Sequence, residues 1–371
     1  MNHDAPAWIR ATYLVSAEAD EIDALARALA TEQSVEMPLD AITDRRVLAE
    51  VAGRVEAVTE HSPGCYAVTL GLAAETVGTE TAQLLNMLFG NCSLHDAVRL
   101  VEVDLPPALL ASFRGPRHGI DGLRRLCGAD GRPLTCTALK PQGLNATALA
   151  ALCERFALAG LDFVKDDHGL ADQVAAPFAE RVAACQAAVE RANRRTGGST
   201  RYVPSLVGSP RTLARQALLA RDLGVRAVLV APSLIGLGTF RELVDEDLDG
   251  VAVLAHPAYA GAARVDPPLL LGGLFRLFGA DATIFPNVGG RFSYSAERCD
   301  AIAERARRPW AHLATCLPVP AGGMTPDRAG DMIAAYGNDI MLLIGGALLA
   351  AGDRLDDEAR RFVTAVTDAA A

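Results

Sequence analysis

Long apolar runs and aromatic residues are both scarce in this sequence of 371 residues. Aromatic side chains make up 5% of the chain, although hydrophobic residues make up 50%. The longest apolar stretch, 340–351, is shorter than the ~20 residues of a membrane-spanning helix, and Gly345 and Gly346 interrupt it. The first residues also lack the basic and apolar segments of a secretory signal. We therefore expect a cytoplasmic protein that has no membrane partner.

Closely spaced cysteine pairs and an excess of basic charge are missing as well. The eight cysteines are scattered and include no CxxC pair, which is typical of reduced core thiols rather than of a disulfide framework or a zinc site. The formal net charge is -10, which argues against a nucleic-acid partner, since such a partner needs a basic surface. A basic pocket can still exist in an acidic protein, so the charge does not define the substrate.

The first part of the chain, residues 1–128, mixes expected strands and helices without a regular order. The turn His61-Ser62-Pro63-Gly64 separates two of the strands. This pattern predicts an N-terminal α+β domain of the ferredoxin-like kind. Its expected strands are 9–16, 46–60, 65–72 and 100–105, and its expected helices are 19–32 and 80–88.

The second part, residues 129–371, has a regular rhythm of short apolar runs and amphipathic helical stretches. Apolar strands are expected in a parallel sheet that is covered on both faces, and eight such units predict a (β/α)8 TIM barrel. A doubly wound open sheet has the same periodicity, but the count of eight and the polar residues at the strand ends favour the barrel. The runs are 134–140, 161–167, 201–207, 226–232, 251–257, 282–288, 312–318 and 339–346.

The densest group of functional side chains, Lys165-Asp166-Asp167-His168, ends the second expected strand. Catalytic groups of such barrels lie at the C-terminal ends of the strands. Alternation along the strand directs Lys165 and Asp167 to one side and Asp166 to the other, so the first two are expected to share the barrel interior. A carboxylate beside an imidazole can hold a divalent ion, and a buried lysine can act as a base. The alternative is a solvated loop with an incidental ion pair.

Single polar residues end other strands. Lys140 ends the first strand, and His256 ends the fifth, where it is either an acid–base group or a packed core histidine. Asn287 ends the sixth strand and is a candidate for substrate binding, and Arg291 follows it. We predict catalytic roles for Lys140 and His256.

Two glycine pairs, Gly322-Gly323 and Gly345-Gly346, are expected after the seventh and eighth strands. Glycine lets backbone N–H groups approach a ligand closely, and these two positions are a common phosphate site in barrels. The pairs therefore predict a phosphorylated substrate, with a simple turn as the alternative for each pair.

Several segments resemble the large subunit of ribulose-bisphosphate carboxylase, RuBisCO, over nearly the whole chain. GLDFVKDDH (160–168) is similar to the family signature, which usually ends in Lys-Asp-Asp-Glu. Other segments resemble the family's first strand, its phosphate loops and two motifs of its N-terminal domain. These are TCTALKP (135–141), PAGGM (320–324), LIGGAL (343–348), ATEQS (30–34) and FGN (89–91).

This resemblance implies a metal, a phosphorylated substrate and a homodimer or larger homo-oligomer. The expected ion is Mg²⁺, held by Lys165 (carbamylated in the family), Asp167 and His168. Glu32 and Asn91 are expected to complete the site from a partner subunit. Because imidazole replaces the usual Glu at His168, both the carbamate and the choice of metal are open.

Departures from the family pattern predict a RuBisCO-like protein of form IV that does not fix CO₂. Besides His168, Gln142 stands in place of a catalytic lysine and Met37 in place of a threonine. Arg291 stands in place of the mobile-loop lysine, so the resemblance implies a catalytic role for Arg291. The expected chemistry passes through an enediolate of a phosphorylated keto-sugar or keto-acid. Decarboxylation or carbon–carbon cleavage of a sugar-acid phosphate, of the apionate type, is the first expectation.

Three alternatives stay open. The first is an enolase or isomerase of a methionine-salvage sugar phosphate, which uses the same enediolate chemistry. The second is a Schiff-base aldolase that uses Lys165 or Lys140. The third is a pseudo-enzyme that binds a sugar phosphate without turnover.

Overall fold

The computed structural model describes residues 7–370. The chain divides into two compact units: one reaches to Phe113 and includes Gly261–Leu270, and the other comprises Arg114–Ala260 and the residues from Leu271 onward. The boundary expected after residue 128 differs from this division. The reason is that helix Gly119–Cys127 places Ile120 and other side chains in the barrel core.

The first unit contains a four-stranded antiparallel sheet among its described residues. Its strands are β1 (Trp8–Ser16), β2 (Arg54–Ser62), β3 (Cys65–Ala73) and β4 (Val98–Asp104), in the spatial order β2-β3-β1-β4. Helix Ile22–Glu32 follows β1 and helix Thr81–Phe89 follows β3. This order is the ferredoxin-like arrangement, so the predicted α+β domain is confirmed.

The second strand starts later than the sequence predicts. Residues 46–60 were expected to be extended, but Val47–Val51 forms a helical turn and β2 begins at Arg54. The Asp44 carboxylate accepts hydrogen bonds from the backbone N–H groups of Arg46 (2.8 Å) and Val47 (3.3 Å). Such local caps stabilise a turn against the extended form that an apolar pattern favours.

The second unit contains a parallel sheet that closes into the predicted barrel. The two outermost segments, β7 (Arg201–Val203) and β8 (Ser205–Leu206), are halves of one strand separated by Pro204, whose carbonyl accepts from Leu229 N at 2.8 Å. The described part of this unit thus has eight barrel strands, the third in two pieces. They are β5 (Leu134–Leu139), β6 (Phe163–Asp166), β7 (Arg201–Val203), β8 (Ser205–Leu206), β9 (Ala227–Val230), β10 (Ala252–Ala255), β11 (Ala282–Pro286), β12 (Leu317–Ala321) and β13 (Met341–Ile344).

Helices alternate with these strands. Several begin with a side-chain cap, such as Asn145, which accepts from Ala148 N at 2.9 Å. The longer helices are Ala146–Leu158, Phe178–Thr196, Pro210–Asp222, Ala296–Arg307, Ala329–Tyr336 and Leu355–Ala369. The shorter helices are Pro107–Leu110, Gly119–Cys127, Pro232–Ile235, Leu237–Glu242, Phe275–Leu277 and Gly346–Ala350. Single helical turns are Leu39–Ala41, Val47–Val51, Ala74–Thr76, Asn91–Leu94, Leu243–Asp247, Ala260–Ala262, Pro268–Leu274, Pro326–Arg328 and Gly352–Arg354.

The seventh barrel strand was expected at 312–318 but lies at Leu317–Ala321. The shift arises because Pro318 and Pro320 lie inside the strand. Proline has no N–H donor and normally argues against a central strand, so the sequence pattern placed the strand too early. As a result, Gly322 follows the strand directly.

The barrel interior is filled by every second strand residue, including Cys136 of β5, Phe163 of β6 and Leu254 of β10. Continuing this alternation toward the C-terminal ends gives Lys140, Lys165 and His256. The apolar core therefore supports the polar mouth of the barrel from below.

The cysteines agree with the expectation of reduced thiols. All eight cysteines lie in the described part and are free thiols. Within residues 7–370, no helix combines the length and the apolar character that a bilayer crossing requires.

Candidate active site

Asp167 lies at the centre of a cluster at the mouth of the barrel. Its Oδ2 accepts a hydrogen bond from Lys140 Nζ at 3.0 Å, and its Oδ1 lies 3.1 Å from His168 Nδ1. The His168 ring stacks on the His256 ring, with centroids 4.3 Å apart and an angle of 11° between the planes. The structure therefore brings together candidates from the ends of β5, β6 and β10.

Lys165 is the buried amine of this cluster. The residue is 3% exposed, and its Nζ donates to the carbonyl of Asp166 at 3.0 Å. Burial lowers the pKa of Lys165, and the positive charge of Lys140 lowers it further, whereas the charge of Asp167 acts in the opposite direction. The environment favours the neutral amine more than water does.

The surroundings favour the carboxylate form of Asp167 and the neutral imidazole form of His256. Burial alone raises the pKa of Asp167, but the hydrogen bonds from His168 and Lys140 and the charge of Lys165 bring that pKa below its ordinary value. Burial and the neighbouring charges of Lys165 and His168 lower the pKa of His256 to about 2. His256 Nδ1 accepts from the backbone N–H of Ala258 at 3.1 Å. The neutral imidazole therefore carries its proton on Nε2.

Asp166 faces away from this cluster, as alternation predicts. Its carboxylate is fully buried and accepts from Arg181 Nε at 3.0 Å and from the Tyr202 hydroxyl at 2.8 Å. Arg181 and Tyr202 were missed at the level of sequence because no local pattern shows that an arginine inside a helix faces a strand end.

The composition holds one further signal, the small number of lysines, that the predictions from sequence did not include. Among the 35 lysine and arginine residues of the chain, Lys140 and Lys165 are the only lysines. Arginine keeps its proton at any physiological pH, whereas a lysine amine can release it when buried. The chain thus uses arginine for its other cationic positions and has its primary amines at the mouth of the barrel.

The loops after β11 and β12 lie against each other. A Cβ on Gly323, whose φ is +66°, would lie 2.6 Å from the carbonyl oxygen of Gly289. Arg328 donates to the carbonyls of Gly323 (2.7 Å) and Val288 (3.1 Å) and so joins the two loops. The fold itself requires glycine at 323. Arg291 is exposed in the first of these loops.

The second glycine pair follows β13 and has different surroundings. Among the described residues, nothing lies within 4 Å of a Cβ built on Gly345 or Gly346. Neither glycine has a positive φ, and Gly346 begins helix Gly346–Ala350. Neighbouring protein atoms therefore do not explain why these positions lack a side chain.

Asn287 does not fit its predicted role in substrate binding. The residue is 1% exposed, its amide nitrogen lies 3.3 Å from Met332 Sδ, and its amide oxygen accepts from the Tyr336 hydroxyl at 3.3 Å. Its side chain is occupied within the wall of the barrel, because the strand end turns it outward instead of toward the mouth.

Glu32 and Asn91, the candidates in the first unit, are brought together across 59 residues of sequence. Asn91 Nδ2 donates to Glu32 Oε1 at 2.8 Å and to Glu36 Oε1 at 3.1 Å. Their contribution to a partner subunit's site stays a prediction.

The donor set at the mouth is compatible with a divalent ion only if Lys165 takes part. Within residues 7–370, no group of three or more His, Cys, Asp and Glu side chains could hold a metal. Asp167 and His168 supply a carboxylate and an imidazole. A neutral amine can take up CO₂, and the lowered pKa of Lys165 favours that form. Carbamylated Lys165 would add an oxygen donor, which completes a set that divalent ions accept.

Comparisons with known proteins agree with this fold. The model of the ribulose bisphosphate carboxylase large chain, catalytic domain, matches residues 119–268. The 5-methylthioribulose-1-phosphate isomerase of Rhodospirillum rubrum is 53% identical over 363 residues, which cover 98% of this chain and 97% of that protein. The Rubisco-like protein structure from Rhodopseudomonas palustris has a TM-score of 0.91 and 50% identity, covering 98% and 99% of the two chains.

A more distant relative is the 2,3-diketo-5-methylthiopentyl-1-phosphate enolase of Geobacillus kaustophilus. It is 33% identical over 290 residues, which cover 76% of this chain and 70% of that protein. The chain belongs to the ribulose bisphosphate carboxylase large-chain family and, within it, to the RuBisCO-like proteins. The family prediction from sequence is confirmed.

Proposed function

We propose that this protein isomerises a phosphorylated keto-sugar, 5-methylthioribulose 1-phosphate in the first instance, through an enediolate. The observation that carries the proposal is that the chain's two lysines meet beside one carboxylate, Asp167, at the barrel mouth. The full-length relative that is 53% identical and bears this isomerase name supports the choice of substrate.

Isomerisation needs a base that removes a proton next to a carbonyl and returns it to another carbon. Lys165, as the neutral amine or as its carbamate, is that base, because burial disfavours its charged form. Lys140, oriented by Asp167 at 3.0 Å, donates a hydrogen bond to the oxygen on which negative charge develops. His256 offers its Nε2 proton to the same oxygen or to a substrate hydroxyl.

Lys165, Asp167 and His168 are the residues that would hold a divalent metal, with Mg²⁺ as the first candidate. When bound, such an ion supplies a Lewis acid that stabilises an enediolate. His168 provides imidazole where the family usually has a carboxylate, so the site carries less negative charge than the usual one.

The substrate phosphate is assigned to the two glycine pairs. The open space at Gly345 and Gly346 leaves room for an anion close to the backbone. Gly322 and Gly323 belong to the neighbouring loop, and Arg291 adds a positive charge on the loop after β11. Asn287 has no part in this assignment, because its amide group is already bonded to Met332 and Tyr336. We keep the homodimer, with Glu32 and Asn91 facing a partner's site, as part of this proposal.

Isomerisation replaces the first expectation from sequence. The relatives described above bear isomerase and enolase names, which favours the methionine-salvage alternative over decarboxylation or carbon–carbon cleavage of an apionate-type acid. A Schiff-base aldolase requires a covalent adduct that isomerisation does not need. A pseudo-enzyme gives no reason to retain two lysines at the mouth of the barrel.

The direct test is turnover of 5-methylthioribulose 1-phosphate in D₂O, followed by ¹H and ³¹P NMR. We expect a new ketose phosphate that retains its phosphate and carries deuterium at the carbon that receives the proton. Formation of CO₂ or of two carbon fragments would contradict the proposal, as would the absence of any exchange or product.

The variant Lys165→Arg keeps a positive charge at this position but removes the amine that can act as a base. We expect turnover to fall by about 1,000-fold, since arginine keeps a cation but cannot act as a base. Thermal unfolding monitored by circular dichroism checks that the variant is folded, and Lys165→Met serves as a second variant if the guanidinium does not fit. Turnover by folded Lys165→Arg close to that of the wild type would be incompatible with Lys165 as the base.

Gly346→Ala tests the phosphate site. An alanine there meets no protein atom and favours the helix, so the unfolding temperature should stay the same or rise, while KM rises about tenfold because the methyl group displaces the phosphate. Gly330→Ala is the matched control, since Gly330 is also near a helix start and has open space at Cβ. An unchanged KM in Gly346→Ala would argue against phosphate binding at this pair.

Metal removal tests the donor set. After treatment with a chelator, we expect turnover to fall by about 100-fold and to return when Mg²⁺ is added in bicarbonate buffer. Full activity in the continued presence of chelator would show that Lys165, Asp167 and His168 work without a divalent ion.

A further inference from the structure

A second polar cluster lies directly behind the candidate active site, on the outer side of β6. Its centre is Asp166, the residue between Lys165 and Asp167. Asp166 is fully buried, and its Oδ2 accepts from Arg181 Nε and from the backbone N–H of Ser205, both at 3.0 Å. The Tyr202 hydroxyl donates to its Oδ1 at 2.8 Å. The carboxylate thus ties the end of β6 to β7, β8 and helix Phe178–Thr196.

Arg181 connects this carboxylate to the loop that follows β6. The arginine is 0% exposed, and its Nη1 donates to the carbonyls of Ala171 (2.7 Å) and Ala176 (2.9 Å). Both carbonyls belong to the segment between β6 and the helix that carries Arg181. One guanidinium therefore bonds to Asp166, which directly precedes this segment, and to two carbonyls within the segment.

The backbone carbonyl of Asp166 connects this cluster with the amine of Lys165. Lys165 Nζ donates to the carbonyl of Asp166 at 3.0 Å, and the side chain of that same residue is held by Arg181, Tyr202 and Ser205. A buried ion pair adds little net stability, since the cost of desolvation offsets its attraction. Its fixed geometry does, however, restrict the backbone to which it is bonded.

We propose that Arg181, acting with Asp166 and Tyr202, is a positioning residue that sets the location of the Lys165 amine and of the Asp167–His168 segment. Arg181 does not touch the substrate; it acts through the Asp166 peptide. The inference rests on the proposed function for its kinetic consequence, but its structural consequence is independent of the substrate.

The test uses the double variant Asp166→Asn, Arg181→Met, which removes the ion pair without leaving one buried charge alone. We expect kcat per folded enzyme to fall by about 100-fold with KM within about twofold of the wild type, because a small displacement of a reacting group mainly affects the chemical step. Tyr202→Phe, which removes a single hydrogen bond, should fold normally and shift kcat in the same direction by a smaller factor.

A second readout needs neither substrate nor metal. Trace acetylation followed by mass spectrometry gives the ratio of Lys165 to Lys140 modification, and the chain has no other lysine to interfere. Release of the Asp166 peptide should let the Lys165 amine leave its buried position, so the ratio should rise several-fold in the double variant and in Tyr202→Phe.

The matched control lies at the other end of the same strand. Asp162, one residue before β6, forms a two-contact ion pair with Arg132, at 2.7 and 2.8 Å. Asp162→Asn, Arg132→Met should lower stability but leave kcat per folded enzyme and the acetylation ratio unchanged.

An unchanged ratio or an unchanged kcat in the Asp166–Arg181 variant would overturn the proposal. If the wild type does not turn over the substrate, the proposed function fails and the ratio alone decides on Arg181.

Discussion

The ion pair between Lys140 and Asp167 is the interaction on which the rest of the site depends. It places one cation and one carboxylate at the mouth of the barrel and leaves the second lysine, Lys165, buried beside them. Because Asp167 also engages His168, a single carboxylate orients two groups, one that follows β5 and one that follows β6. The apolar barrel interior below supplies the low-polarity environment that lowers the pKa of Lys165. Loss of Asp167 would leave Lys140 and His168 without their common partner.

Much of this arrangement follows from sequence because strand alternation is a local property. The opposite directions of Asp166 and Asp167 were predicted from their adjacency, and the structure has Asp167 in the mouth and Asp166 against Arg181. The eight apolar runs predicted the barrel in the same way. The resemblance to a family then assigned chemistry to positions that periodicity had already brought to one edge.

Features that depend on contacts between loops were not predictable from sequence. Arg328 joins the loops after β11 and β12, and Arg181 joins β6 to its own loop, but neither arginine lies in a recognisable pattern. Two prolines within β12 hid the true position of the seventh strand. Asn287 follows a strand end, yet its amide bonds to Met332 and Tyr336 of helix Ala329–Tyr336, a contact that no local pattern predicts.

The central claim is that burial lowers the pKa of Lys165 below that of an exposed lysine. Two lysines in the whole chain make a direct measurement possible. In protein labelled with ¹³C at lysine Cε and kept free of CO₂, the signal that disappears in Lys165→Met belongs to Lys165. We predict that this signal titrates below the ordinary lysine value of about 10.4. Titration at or above that value would contradict the account.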